Sequence, residues 1–435
     1  MSADLSLAGK ALGAACEAVR PGGSADAVGG RVPAFVAAPS STAQASALMR
    51  IAAEHDLTVM PRGSGSRLHW GNPPQCDVVL DTLRMDQVIE HAAGDLVARV
   101  QAGARIGEVA AVLAAAGQEI ALDVPPSATI GGVVADALAG PRRLRYGSPR
   151  DLLIGITIVR SDGVVARSGG KVVKNVAGYD LGKLFAGSAG TLGLITEATF
   201  RLHPLPAARA WLKAQMPGDG AVVAAAVTAA ANSPLVASAV EVHRAAPGER
   251  THVAVLLEGS ADGVADRVKQ MSWLVRTSAS EAARSISAIG GDPSVATAPS
   301  RTAPDWWGGV PDPAGGTLLR ATFWVSALGQ VLDAVDRAAR ETGTRPQVHG
   351  PAGAGMLYVT LDADAPPAGV VSLAAAIREA IPAGRGGVMV VAAPGRVRSV
   401  MGSEVVPGAM LMRAVKDQFD PDGRMAPGRL PGELS

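Results

Sequence analysis

The first half of the chain carries three glycine-bearing stretches in a fixed order: residues 61–66 (Pro-Arg-Gly-Ser-Gly-Ser), 128–132 (Ala-Thr-Ile-Gly-Gly) and 187–193 (Gly-Ser-Ala-Gly-Thr-Leu-Gly). Glycine has no Cβ to block close approach and tolerates positive φ, so each stretch can lay bare backbone N–H groups against a phosphate or a flat ring. One such stretch is ordinary loop chemistry. Three, separated by strand and helix patterns, point to a long ligand lying across a whole domain, and a dinucleotide has that form. Arg142, Arg143 and Arg145 follow soon after the second stretch. That basic knot reads either as a solvated loop or as guanidinium groups set against a pyrophosphate or a substrate carboxylate.

Other chemistries fail on spacing. Residues 62–66 hold a G-x-G, but Leu68 stands at the third glycine position. With the third glycine missing, the nicotinamide Rossmann fingerprint is incomplete and is not read here. Residues 178–183 (Gly-Tyr-Asp-Leu-Gly-Lys) are one residue short of a P-loop, and Leu184 occupies the place of the magnesium-binding hydroxyl. Residues 186–190 (Ala-Gly-Ser-Ala-Gly) resemble a nucleophile elbow, but the pattern here is helix, loop, strand, the reverse of what an elbow needs. Ser188 is therefore read as part of a backbone-lined loop. The seven histidines never fall at i,i+2 or i,i+4, so no local metal cluster is visible. Among them His349, just ahead of Gly350, Gly353 and Gly355, is the candidate acid/base residue; the alternative is a structural histidine.

These residues must be positioned by regular elements. A capping box of Ser41 and Gln44 opens a helix that carries Leu48, Ile51, Ala52 and His55 on one face. A buried strand at 57–60 then runs straight into the first glycine loop. Strands follow at 78–82, 88–91 and 96–102, a helix at 106–116, and a hairpin of 152–160 with 164–167 around Asp162 and Gly163. A helix over 179–185 leads to the third loop and a strand over 194–202. Beyond residue 206 helices alternate with strands such as 253–258, 321–325, 356–361 and 388–391. A last helix presents Leu411, Val415 and Phe419 as a stripe.

With 435 residues the chain can build more than one core, since single cores stop growing near about 250–300 residues. Only 3% of residues are aromatic, so the interior is expected to be Ala, Val, Leu and Ile. Forty basic and 39 acidic residues leave a net charge of +1, without a nucleic-acid footprint. Cys16 and Cys76 form no C-x-x-C pair; they read as two buried thiols, with a disulfide as the alternative. No signal peptide or membrane span is read, and the expected location is cytoplasmic.

Taken together, these residues resemble the FAD-binding domain of the vanillyl-alcohol oxidase/p-cresol methylhydroxylase flavoproteins, and within them the FAD-binding subunits of bacterial glycolate oxidases. The resemblance rests on 61–71, on 128–132 with 140–143 and Arg150–Asp151, on 173–180 running through 187–197, and on the tail 419–428 (Phe-Asp-Pro-Asp-Gly-Arg-Met-Ala-Pro-Gly). It is close over 35–206 and 411–430 and thin over 207–400.

The resemblance implies an α+β protein: a two-part PCMH-type FAD-binding domain at 31–206, after an N-terminal extension at 1–30. An α+β cap domain with an antiparallel sheet would span 207–400, and a C-terminal helix and tail at 401–435 would return to the FAD domain. Arg62, Gly63, Ser64, Gly65, Ser66 and Trp70 would serve the cofactor from the first loop, with backbone N–H groups on the pyrophosphate. Pro125, Ser127, Ala128, Thr129, Gly131 and Gly132 would serve it from the second, the N–H groups of Gly131 and Gly132 also facing phosphate. Arg145, Gly147, Gly187, Gly190, Thr191 and Ile195 complete the set. Some relatives bind the flavin covalently through a first-loop histidine; Ser66 stands there, so non-covalent FAD is expected. Relatives that oxidise 2-hydroxy acids unaided share a His-x-His-x-His-Gly-Asp-Gly-Asn metal segment, absent from this sequence. The implied partners are thus a second flavoprotein subunit and an iron–sulfur subunit, at the inner face of the membrane through the complex. The alternatives are a self-sufficient FAD-dependent dehydrogenase of D-lactate or another alcohol, and a non-catalytic FAD-binding subunit.

Overall fold

A computed structural model describes residues 5–170, 180–286, 292–401 and 408–430. The motif expected at 173–180 lies outside these residues except for Asp180. By its internal contacts the chain divides into two compact units. One comprises Met1–Leu138, Ser148–Leu205 and Ser403–Ser435; the other comprises Ala139–Gly147 and Pro206–Gly402.

The first unit holds two main sheets. In the four-stranded one, Val19–Pro21 pairs antiparallel with Phe35–Ala37, and Val78–Asp81 lies parallel between Phe35–Ala37 and Val59–Arg62. The helix Thr42–Glu54 buries Leu48, Met49 and Ala52 in one cluster with Val59, Val78 and Leu80. Ser41 Oγ accepts the Gln44 N–H at 3.2 Å, as the capping box requires, while Gln44 Oε1 accepts from Ser40 N–H at 2.8 Å, one residue earlier than expected. The second sheet is antiparallel, in the order Val88–Ala92, Val97–Gln101, Leu194–Arg201, Leu153–Val159, Val165–Gly169. Its central strand is buried at six of eight positions, as a strand covered on both faces must be.

Two elements differ from expectation. Of the helix expected over 179–185, the described residues from 180 on form a single 3₁₀ turn, Leu181–Leu184. Gly182 N–H there donates to Ser168 Oγ at 3.0 Å, tying the turn to the neighbouring strand Val165–Gly169. The last helix is Ala409–Phe419, but its apolar stripe is not the buried face: Leu411 is 72% exposed, and Lys416 is the buried residue.

The second unit is an eight-stranded antiparallel sheet. Its order is Ala296–Ser300, Ala208–Met216, Thr251–Gly259, Ala239–Arg244, Gln347–Gly350, Met356–Leu361, Thr317–Phe323, Gly386–Ala392. Leu212, Val242, Val255, Leu319 and Val359 from the strands share one core with Val223, Val268, Val331 and Leu373 from four helices. Alternation along each strand sends Trp211, Glu241, His243, His252 and His349 to the other face. Inside the core Arg244 is the exception, and its fork is matched by Asp336 at 2.7 and 3.0 Å and by Gly218 O at 2.8 Å. Among the described residues no helix is long and apolar enough to cross a membrane.

Candidate cofactor cleft

The strand Val59–Arg62 delivers the first glycine loop to the edge of an open cleft within the first unit. All three glycine stretches meet there. The walls come from 60–68, from Ala128, Thr129, Gly131, Gly132, Ala135 and Asp136, from Ala189, Gly190 and 193–195, and from Arg429.

Among the described residues, no acceptor in the protein takes the N–H groups of Gly63, Ser64, Gly65 or Ser66. Four consecutive main-chain donors at the wall of a cleft are an arrangement that a diphosphate satisfies. At Gly63 the wall has no room for a side chain: a Cβ there would stand 2.0 Å from Thr129 Oγ1. The second stretch behaves differently from expectation. Gly131 N–H donates to Ala102 O at 2.7 Å, and Gly132 N–H caps onto Thr129 Oγ1 at 3.4 Å, so neither is aimed at a phosphate. These glycines supply close approach instead, since a Cβ on Gly131 would lie 2.9 Å from Ala102 Cβ.

The third loop is docked on the short helix Ile130–Ala135, with Gly187 N–H donating to Val134 O at 3.0 Å and Ala189 N–H to Ala135 O at 2.8 Å. Ala189 takes a left-handed φ of 51°, an uncommon conformation for a residue with a Cβ. Ser188 is buried, and its Oγ has no partner among the described residues. Thr191 is buried as well; its Oγ1 donates to Ser188 O at 2.7 Å.

Arg62 brings a cation whose charge is already matched. Its guanidinium lies between Asp26 at 3.0 Å and Asp81 at 2.8 Å, and Arg20 makes a second fork onto Asp26 at 2.6 and 2.8 Å. The Arg20 hydrogen bond, more than the Gly23 N–H and Arg62, holds the Asp26 carboxyl far below the usual carboxylate range despite burial. Arg62 thus shapes the loop while the main chain is left to meet an anion.

Of the expected cofactor residues, Arg62, Gly63, Ser64, Gly65, Ser66, Ala128, Thr129, Gly131, Gly132, Gly190 and Ile195 line the cleft. Trp70 stands beside it under the Arg67 guanidinium, 5.0 Å from the ring centre. Pro125 and Ser127 are exposed, Gly187 and Thr191 support the third loop, and Arg145 and Gly147 pack in the other unit. Arg429 went unnoticed in the sequence, although the matched tail ends one residue before it.

His349 lies in the second unit, 5% exposed. Its Nε2 is 2.8 Å from Gly309 O and 3.2 Å from Glu241 Oε1, and Glu241 in turn accepts the Gly308 N–H at 2.9 Å. Strand register places His252, His243 and His349 side by side across three strands. His243 stacks on Trp306 at 5.3 Å between ring centres; burial, then the neighbouring His349 and His252, lower its pKa to about 4. Among the described residues no group of three metal-ligating side chains forms. The basic knot resolves within this unit. Arg142 lies 3.5 Å from the buried Glu258 carboxylate, which also takes Arg209 at 2.8 Å and the Tyr146 hydroxyl at 3.0 Å.

Residues 33–169 match the family model of the FAD binding domain. The chain carries an FAD-binding domain. Solved structures of low identity share the fold over the whole chain. 4-Ethylphenol oxidase from Gulosibacter chungangensis aligns with a TM-score of 0.70 at 16% identity, covering 100% of this chain and 99% of that one. p-Cresol methylhydroxylase aligns at 0.68 and 16%, covering 98% and 96%. Relatives in sequence include glycolate oxidase subunit GlcD of Bacillus subtilis, 39% identical over 40% of this chain and 38% of that protein. D-lactate dehydrogenase of Archaeoglobus fulgidus is 37% identical over 39% and 38%, and glycolate oxidase subunit GlcE of Escherichia coli 37% over 36% and 45%. Each match spans less than half of the relative's length. Both cysteines are buried and free, which settles the thiol alternative.

Proposed function

We propose that this chain is an FAD-dependent oxidoreductase subunit that binds FAD non-covalently and takes part in oxidising a small 2-hydroxy acid, glycolate first, to the 2-oxo acid. In this reading electrons leave through an iron–sulfur partner in a complex with a second flavoprotein. The observation that carries it is the row of unpaired N–H groups at Gly63–Ser66, beginning at a glycine where no side chain fits. FAD, when bound, supplies the acceptor for the hydride that leaves the CH–OH carbon. The first loop would hold the diphosphate through main-chain donors, and Gly190 and Ile195 of the third loop would serve the flavin. Ser66 offers a hydroxyl where a covalent link would need a better nucleophile. His349 is the group assigned to the hydroxyl proton: Glu241 and Gly309 O hold the Nε2–H, which leaves Nδ1 as the basic nitrogen.

The purified chain tests this directly. It should be yellow or take up FAD, and it should turn over glycolate with an artificial electron acceptor only when its partner subunits are added. Unaided turnover of D-lactate, the activity named for one relative, would favour the self-sufficient dehydrogenase instead. Bound FAD without turnover in any mixture would leave the non-catalytic alternative.

A further inference from the structure

The C-terminal helix Ala409–Phe419 buries a charge where an apolar stripe was expected, and what that charge does is specific. Lys416 donates to Thr191 O at 2.8 Å, to Met425 O at 3.0 Å and to the Asp420 carboxylate. Those are the three protons an ammonium has. Asp420 is buried and closes the turn that follows, accepting the N–H groups of Arg424 at 3.0 Å and Met425 at 2.8 Å. The chain then runs beside the strand Val59–Arg62, with Val59 N–H donating to Arg424 O at 2.9 Å and Ala426 N–H to Val59 O at 2.8 Å. It ends on Arg429, whose fork reaches Leu68 O at 2.7 Å and Arg67 O at 3.0 Å, while Asn72 N–H takes Arg429 O at 3.1 Å.

Both contacts fall on the backbone of the loops that line the cleft. Thr191 is the neighbour of Gly190, and Arg67 and Leu68 directly follow the four unpaired donors of Gly63–Ser66. A carbonyl that is gripped cannot rotate, and the peptide units on either side are held with it. Glycine loops are free by composition, so something outside them must fix their conformation. Resting on the FAD reading above, we propose that Lys416 and Arg429 form a two-point clasp on the cofactor cleft, with Lys416 setting the third glycine loop and Arg429 the first. Neither side chain need touch the cofactor; both are positioning residues.

The test uses the full chain in apo and FAD-loaded form. The variants are Arg429→Gln and the double Lys416→Met with Asp420→Asn, which leaves no buried charge unpaired. Arg424→Gln is the control: its side chain is also buried in the tail, but it bonds Ala52 O and Leu57 O and no glycine loop. Loss of a charged hydrogen bond predicts FAD dissociation constants raised about tenfold or more in both clasp variants. The control should melt lower yet bind FAD within about twofold of the parent. The visible circular dichroism of bound flavin should change in the Lys416 variant, because its loop would serve the flavin. Amide hydrogen exchange of the apo protein should rise at 63–68 in Arg429→Gln and at 187–193 in the Lys416 variant. Unchanged exchange in both loops would overturn the clasp, as would equal loss of FAD affinity in the control. Should the parent itself fail to bind FAD, the exchange data still decide the clasp, so the two readings fail separately.

Discussion

The first unit presents a ligand with main chain, while the second presents side chains. Around the cleft the open donors are peptide N–H groups of Gly63–Ser66, and the charged neighbours Arg20, Asp26, Arg62 and Asp81 neutralise one another. On the face of the eight-stranded sheet away from its core the groups are imidazoles, a carboxylate and indoles, drawn from several strands and a loop. A backbone site depends on the absence of Cβ atoms, and glycine spacing records that absence in the sequence. A side-chain site depends on strand register, which no local spacing records. The two units should therefore fail to different substitutions.

The largest effect should come from Gly63→Ala. The added carbon would stand 2.0 Å from Thr129 Oγ1, and the loop must move. Overpacking of about 3 kcal/mol weakens FAD binding about 100-fold, read by titration of the apo protein. Affinity equal to the parent would break the main-chain account of the first unit.

Next in size, Arg244→Met leaves Asp336 without its fork inside the second unit. Breaking a buried pair costs about 3 kcal/mol, seen as a lower denaturation midpoint. FAD affinity should stay at the parent value if the two units are as distinct in chemistry as in contacts.

A smaller effect is a pH dependence carried by His243. Its folded pKa of about 4 lies below the 6.5 of an unfolded histidine. The unfolded chain thus takes up the proton first, and stability is lost as pH falls from 6.5 towards 4, then levels. His243→Phe keeps the stack on Trp306 and removes the titration. The melting-temperature difference between variant and parent should grow in the variant's favour across that window, and a constant difference would separate His243 from the acid response. Least perturbing is thiol labelling. Burial pushes the Cys76 thiol up to about 12 and Cys16 is buried too, so a thiol reagent should label neither cysteine in the native protein and both after denaturation.

The cleft was largely legible. The strand at 57–60 running into 61–66 was a local pattern, and its loop needed only glycine. The fold class followed from the order of strands and helices and from the family resemblance. What sequence could not supply were the contacts made across hundreds of residues. Arg145 and Gly147 sit close to the second glycine stretch in sequence, yet they pack in the other unit, because the segment from Ala139 to Gly147 crosses over. Gly131 looked like a phosphate donor, but its N–H is consumed by Ala102 O, a partner 29 residues upstream by residue number (131 − 102). Lys416 was hidden because a stripe of Leu411, Val415 and Phe419 predicts the wrong face. Its burial depends on Asp420 and on two carbonyls that only the folded chain brings near. His349 was noticed for its glycine neighbours; the carboxylate that fixes its tautomer lies two strand positions and more than a hundred residues away.

The pairing of Arg62 with Asp26 and Asp81 has a kinetic corollary. With those charges cancelled, the ionic side chains left in this wall are Arg67, Arg429 and Asp136, a net charge of about +1, and an incoming anion meets mainly oriented dipoles of short reach. Uptake of the coenzyme should then proceed at a rate nearly indifferent to ionic strength, with selectivity residing in how well a bent, bulky molecule fits once it has arrived.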